Sequence, residues 1–262
     1  MSERIRPLPL VAATLLVAGA YWMCASTVDR LSGIGDWRAY VIEPSAGLIG
    51  GAALARAFST PMRRYGVAGA LIWIGILSLV LLLGGPPLWR PARSSLPLAE
   101  GAALALLCAT GAWAGVAWSQ RHATGTPGAP FWCALAVIMT MGGAEIARVV
   151  LFAFLGAEHA AGIGFLLMVV APAVAAFITQ QRMGRRAVRL AASGALAFPL
   201  MLLDRAGYFG DTPMVVLILL IVFAFAIAWL AGWAGAVIAW HFHHGDQTEL
   251  PAARVLDRDG DQ

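Results

Sequence analysis

The chain carries few charges and contains neither lysine nor asparagine. Of its 262 residues, 12% are charged and 60% are hydrophobic, whereas about a quarter of the residues in an average soluble domain carry a charge. This balance excludes an ordinary water-soluble globule. It also excludes a disordered chain, which needs low hydrophobicity and high charge. The composition therefore predicts a polytopic membrane protein.

The absence of lysine excludes two further classes of protein. A seven-helix protein that binds retinal needs a lysine amine to form its Schiff base, so retinal is not a partner of this chain. A P-loop ATPase needs a lysine beside its glycine-rich phosphate loop, and no such loop is present. All 18 basic residues are arginine and are dispersed between apolar runs, which is typical of membrane topology and not of nucleic-acid binding.

Cysteine and histidine are also scarce, which limits cofactor chemistry. The three cysteines are too few and too scattered for a disulfide scaffold, and the histidines lack the spacing for a haem or a di-iron centre. His241 and His244 share a helix face at the end of the last apolar run and permit a metal site there. A histidine cluster at a helix C-terminus is also favourable through the helix dipole alone. We therefore expect no cofactor.

Apolar runs long enough to cross the bilayer predict an all-α helical bundle. A crossing needs about 20 mostly apolar residues, and eight runs qualify; the seventh is short and contains Pro199, so seven spans is the alternative. Residues 1–241 form this bundle, and residues 242–262 form a polar cytoplasmic tail. The predicted spans are Leu8–Ser26, Tyr40–Phe58, Val67–Gly84, Leu98–Ser119, Phe131–Gly156, Ala160–Gln180, Ala187–Leu203 and Pro213–Trp240.

The arginines orient this bundle. With the N-terminus inside, ten arginines fall in inside segments and five in outside segments, not counting the tail. This bias follows the positive-inside rule and places both termini in the cytoplasm of a bacterial cell, with the protein in the inner membrane. The first span also resembles a signal peptide, because Ala18-Gly19-Ala20 fits a small-residue cleavage site. An uncleaved anchor is the ordinary choice for a multi-span chain.

Small residues recur at helical spacing in three of the predicted spans. Such spacing lets two helices approach closely in a membrane. We expect it to serve packing inside the bundle; a face for a partner subunit is the alternative. The pairs are Gly47 with Gly51, Gly111 with Gly115, and Ala231 with Gly235.

Two charged residues fall well inside the fifth predicted span. Glu145 and Arg148 lie roughly 12 to 17 Å from its outer end, at a rise of about 1.5 Å per residue. Their i, i+3 spacing puts them on one helix face, where they can neutralise each other. An ionisable residue at such depth marks a substrate or ion site, and a charge pair that locks helix packing is the alternative. By contrast, the acid-rich segment from Val28 to Glu43 reads as a solvated outer loop or an interfacial helix.

The segment Glu145-Ile-Ala-Arg148-Val-Val-Leu-Phe-Ala-Phe-Leu-Gly156 resembles the arginine-bearing helix of exosortases, which are bacterial membrane transpeptidases. That family uses a cysteine, an arginine and a histidine on the outer side of the membrane. The resemblance implies that Arg148 matches the arginine, that Cys108 matches the nucleophile and that His159 takes the place of the histidine. Glu145 stands where the family has asparagine.

Three functions follow from these features. The first is a non-catalytic subunit or assembly factor of an inner-membrane complex. The expected partners of the chain are the lipid bilayer and either other membrane subunits or further copies of the chain. The second is a transporter of small solutes or ions that uses Glu145 and Arg148. The third is an exosortase-like enzyme with Cys108, Arg148 and His159. The scarcity of polar groups in the spans favours the first, and hence a protein that is not an enzyme.

Overall fold

The protein is a bundle of helices. The computed structural model describes residues 7–30, 38–58, 62–82, 97–122, 127–155, 160–183, 192–204 and 213–245, and every element within these ranges is helical. The predicted all-α fold is therefore confirmed. The elements are α1 (Pro7–Arg30), α2 (Arg38–Ala57), α3 (Arg63–Leu82), α4 (Pro97–His122), α5 (Ala129–Leu155), α6 (Ala160–Met183), a 3-10 segment (Ala192–Leu196), α7 (Ala197–Asp204) and α8 (Met214–Gly245).

Four of these helices contain described stretches that are long and apolar enough to cross a membrane by themselves. They belong to α1, α4, α5 and α8, and they cover Pro7–Val28, Ala102–His122, Ala129–Leu151 and Met214–Phe242. Shorter apolar stretches lie in α6 and in the segment that leads into α7. The chain is a membrane protein with several spans.

The observed structure differs most from the prediction at the seventh predicted span. Within residues 192–204 it consists of five residues of 3-10 helix and eight of α-helix, about 22 Å in all at their respective rises. That length falls short of a hydrocarbon core of about 30 Å. Pro199 lies in the first turn of α7, where a missing backbone N–H costs little. The preceding residues 187–191 of the prediction lie outside the described part of the chain.

Helix α1 occupies the centre of the bundle. It packs against α2, α3 and α5, and 67% of its membrane stretch is buried, compared with 11% for α8. Its alanines and glycine allow this central position, because Gly19 has no side chain where the carbonyl group of Ile138 on α5 approaches. The helix with the signal-like sequence is thus the one that the other helices surround.

Helices α2 and α4 form the closest pair in the bundle. A Cβ atom at Gly47 would overlap the carbonyl oxygen of Cys108, and one at Gly111 would overlap the carbonyl oxygen of Pro44. Gly51 and Gly115 are in equally tight contact with the facing backbone. The two predicted glycine pairs therefore face each other, and the expectation that they serve internal packing is confirmed.

The helix directions place the start of α1 and the end of α8 on the same side of the bundle. Gly235 of α8 lies against Ala173 of α6, and the ring of Phe242 lies 6.5 Å from that of Phe177, so α6 and α8 run in the same direction. The chain between them must therefore return across the bundle. Leu8 at the start of α1 packs in the same apolar cluster as Phe177. The first residues of α1 and the last residues of α8 thus lie at the same end of the bundle.

Candidate functional site

The buried ionisable groups are concentrated in the half of the bundle away from this end. There a core cluster joins α1, α2, α3, α4 and α5 through Tyr21, Ile42, Trp73, Cys108 and Val149. Two polar sites lie within this distal half. One is the charge pair on α5, and the other is a carboxyl-thiol site between α1, α2 and α4.

The charge pair on α5 is bidentate. The Nε atom of Arg148 donates to Oε2 of Glu145 over 2.9 Å, and Nη2 donates to Oε1 over 2.5 Å. The Glu145 side chain is 4% exposed and the Arg148 side chain 21%. A planar guanidinium that meets both carboxylate oxygens gives the strongest pairing available to these side chains. The predicted neutralisation on one helix face is confirmed, and the pair belongs wholly to α5.

Helices α1 and α3 contribute aromatic side chains to the same region. Tyr21 of α1 is close enough to Arg148 to interact with it electrostatically. The Tyr21 ring also packs against Trp73 of α3, with ring centroids 5.4 Å apart. Trp73 is fully buried, and its indole nitrogen has no hydrogen-bond partner. The charge pair is therefore covered by aromatic surface on its α1 side.

Glu43 belongs both to the second predicted span and to the acid-rich segment predicted as a solvated outer loop or an interfacial helix. It lies in α2, as the span predicted; its residue exposure is 0%, and neither of its carboxyl oxygens has a regular hydrogen-bond partner among the described residues. A solvated position is therefore wrong for Glu43, because the helix face on which it lies is buried.

Two cysteines adjoin this carboxyl group. The Cys108 thiol of α4 interacts with Glu43 without the geometry of a regular hydrogen bond. Cys24 of α1 is near enough to interact electrostatically with the Glu43 carboxyl group. Both cysteines are free thiols. The carboxyl-thiol site is thus formed by three helices, with Glu43 at its centre.

A sequence signal for this site existed. Glu43, Gly47 and Gly51 follow each other at intervals of four residues, so they lie on one face of α2. Cys108 similarly precedes Gly111 and Gly115 by three and seven residues on α4. The glycines predict a close helix contact on each of these two faces, so their spacing places Glu43 and Cys108 each beside such a contact, without showing that the two faces meet.

The remaining predicted site residues are not brought into either site. His159 lies outside the described residues. His241 is exposed near the end of α8, and the side chain of His244 is not among those described. Within the described part of the chain, no group of three metal-ligating side chains comes together. No hydrogen bond or ion pair between described residues joins Cys108 to Arg148; their polar neighbours are Glu43 and Glu145.

These groups can take part in charge and proton balance. The α5 pair can hold a fixed dipole within the bundle, and the carboxyl-thiol site can exchange a proton. Comparison of the chain with models of protein families, with curated proteins and with solved structures finds no match.

Proposed function

We propose that the protein is a non-catalytic subunit or accessory factor of a bacterial inner-membrane complex, with both termini in the cytoplasm. The observation that carries this proposal is that most polar groups buried in the described helices are satisfied within their own helix. Such groups stabilise a packed bundle, whereas a permeation path needs polar groups that face a common route.

The buried threonines follow this rule. The hydroxyl of Thr140 donates to the carbonyl oxygen of Ala136 over 2.8 Å, and that of Thr179 donates to Ala175 over 2.7 Å. Thr14 donates to Leu10 in the same way over 3.0 Å. Each of these bonds joins residues that are four apart on one helix. The pairing of Arg148 with Glu145 likewise stays within one helix, between residues three apart. The threonine hydroxyls are therefore not presented to a solute.

Helix α8 supplies the surface that a membrane partner would cover. Its small residues Ala224, Ala228 and Gly235 are buried, while large side chains such as Phe223 and Trp233 are exposed. It contacts α6, α7 and the 3-10 segment. Most of this long helix is therefore free to meet lipid or an apolar helix of another subunit, in which aromatic residues are effective anchors.

Purification from the native host tests this proposal. The full chain carries a C-terminal tag, is extracted in a mild detergent and is analysed by size-exclusion chromatography and mass spectrometry. We expect a stoichiometric membrane partner that is retained after washing. A single species or a homo-oligomer of the chain without any partner would contradict the proposal.

A transporter is the second candidate, and the residual exposure of the Arg148 side chain favours it. At 21% exposure, a guanidinium paired to Glu145 still offers donors to an anion. Uptake into proteoliposomes with the Arg148→Gln variant tests this role. Transport by the wild-type protein that is lost in a folded Arg148→Gln variant supports the transporter; absence of uptake for a panel of small anions and cations would eliminate it.

A further inference from the structure

Glu43 is a buried carboxyl group that no basic side chain among the described residues neutralises. The residue has no solvent exposure, and both carboxyl oxygens lack a regular hydrogen-bond partner among the described residues. An isolated ionised carboxylate is very costly in apolar surroundings, and binding of a proton removes that cost. We propose that Glu43 is a proton-binding site in the interior of the bundle.

The groups around Glu43 cannot replace the proton as a source of positive charge. Among the described side chains, the titratable groups on the turns of α1 and α4 that face α2 are Tyr21, Cys24 and Cys108. None of them is a cation. Helix α3 has no titratable side chain after Tyr65. Arg148 of α5 is engaged in both of its bonds with Glu145.

The same surroundings favour a proton over a metal cation. Hard cations such as Na⁺ and Mg²⁺ are bound by several oxygen ligands, whereas the polar neighbours of Glu43 are the thiols of Cys24 and Cys108. Pro44, the next residue, removes one backbone N–H and so leaves the carbonyl oxygen of Tyr40 without its usual helical donor. One carbonyl group does not complete a cation site.

The close approach of α4 shields this site from water. Gly47, one turn after Glu43, has the backbone of Cys108 directly against it, and Ile42 and Ala46 beside the carboxyl group are buried. Because no side chain separates the helices here, the site is narrow. A proton fits such a site, and a hydrated ion does not.

Labelling with dicyclohexylcarbodiimide tests the proposal independently of the proposed function. This apolar reagent enters from the membrane phase. The carboxylic acid adds across its N=C bond to give an O-acylisourea, and transfer of the acyl group from oxygen to nitrogen converts this isomer into a stable N-acylurea without a leaving group. The purified full chain in liposomes is labelled from about pH 5 to about pH 9 and digested for mass spectrometry. We expect one adduct on Glu43, which decreases about tenfold per pH unit once the carboxyl group ionises.

Three variants serve as controls. Glu43→Gln keeps the side-chain shape and should lose the adduct. Cys108→Ala removes the adjoining thiol and should retain the adduct, which shows that the reagent is attached to the carboxyl group and not to sulfur. Glu145→Gln should retain the adduct on Glu43 as well.

Two outcomes would overturn the proposal. Absence from folded wild-type protein, at every pH, of both the adduct and the infrared band of a protonated carboxyl group would show that Glu43 holds no proton. Protection of Glu43 by NaCl, but not by choline chloride, would show a sodium site instead. Because a variant can fail to fold, infrared spectra of the wild-type protein provide a second measurement: a protonated carboxyl band must be present and must shift on exchange into D₂O.

Discussion

At the scale of single residues, the two buried carboxyl groups of the bundle differ in how their charge is balanced. Glu145 is neutralised by Arg148 three residues along the same helix, whereas Glu43 has no such partner among the residues that the structure describes. The first arrangement was predictable because it depends only on helical spacing. The second depends on which helices meet, and the hydropathy of α2 alone gives no information about that.

The charge pair makes a testable prediction about stability. Replacing Glu145 or Arg148 alone with leucine leaves one charge unpaired in the bundle interior, and we expect each single change to destabilise the protein by about 3–5 kcal/mol. The double leucine variant removes both charges and should be closer to the wild type than either single variant. Thermal unfolding in detergent measures this, with all four proteins compared in a double-mutant cycle.

Strictly additive effects of the two changes would contradict the pairing. If the double variant is as stable as the wild type yet loses its function in the native membrane, the charges serve a substrate or an ion, and the transporter becomes the better explanation.

At the scale of helices, contact between α2 and α4 depends on the absence of side chains. We expect Gly47→Ala to destabilise the protein by about 1–3 kcal/mol, because the added Cβ atom overlaps backbone that cannot move without shifting α4. Gly75→Ala is the matched control, since nothing lies within 4 Å of the corresponding position on α3. This control should change stability by less than about 1 kcal/mol.

The unfolding temperatures of the two variants test whether α2 and α4 are in close contact. Equal stability of Gly47→Ala and Gly75→Ala would mean that the two helices are farther apart in the membrane. The spacing of the glycines predicted a close contact, but four glycines on two helices did not reveal that they face each other, since periodicity identifies a face and not its partner.

The central position of α1 leads to a prediction about processing. Cleavage after Ala20 would remove Ala12, Ala13 and Leu16, which are almost fully buried among the other helices. We therefore expect α1 to remain in the mature protein. Intact-mass measurement of C-terminally tagged protein from the native host checks this; a mass that lacks residues 1–20 would contradict it.

At the scale of the whole molecule, apolar run length predicted the helices well. The eight predicted spans overlap the observed helices, with ends that differ by a few residues wherever the chain is described. The seventh was the least accurate, because a run of apolar residues does not distinguish an α-helix from a short 3-10 segment followed by one. Glu43 was missed for a related reason, since hydropathy does not show which face of α2 is buried.

The arrangement of helices also predicts the topology. Because α6 and α8 run in the same direction, reporter fusions after Arg186 and after Gln262 should both show activity in the cytoplasm. A fusion after Pro91, between α3 and α4, is the control and should show the opposite location. Opposite locations of the two fusions would contradict the helix directions, and an external location of both would contradict the arginine bias.

The burial of α1 has a consequence for the order of synthesis. Ribosomes release α1 into the bilayer first, yet its neighbour α5 starts more than a hundred residues after the start of α1, so α1 must remain in the bilayer without its contacts to α5 until that helix is made. Its freedom from charged residues between Pro7 and Val28 suits that wait. Helix α5 carries two charges, but they are paired within the helix and so enter the bilayer together. Helices α1 and α5 can thus each insert into the bilayer alone, and their packing against each other can follow insertion.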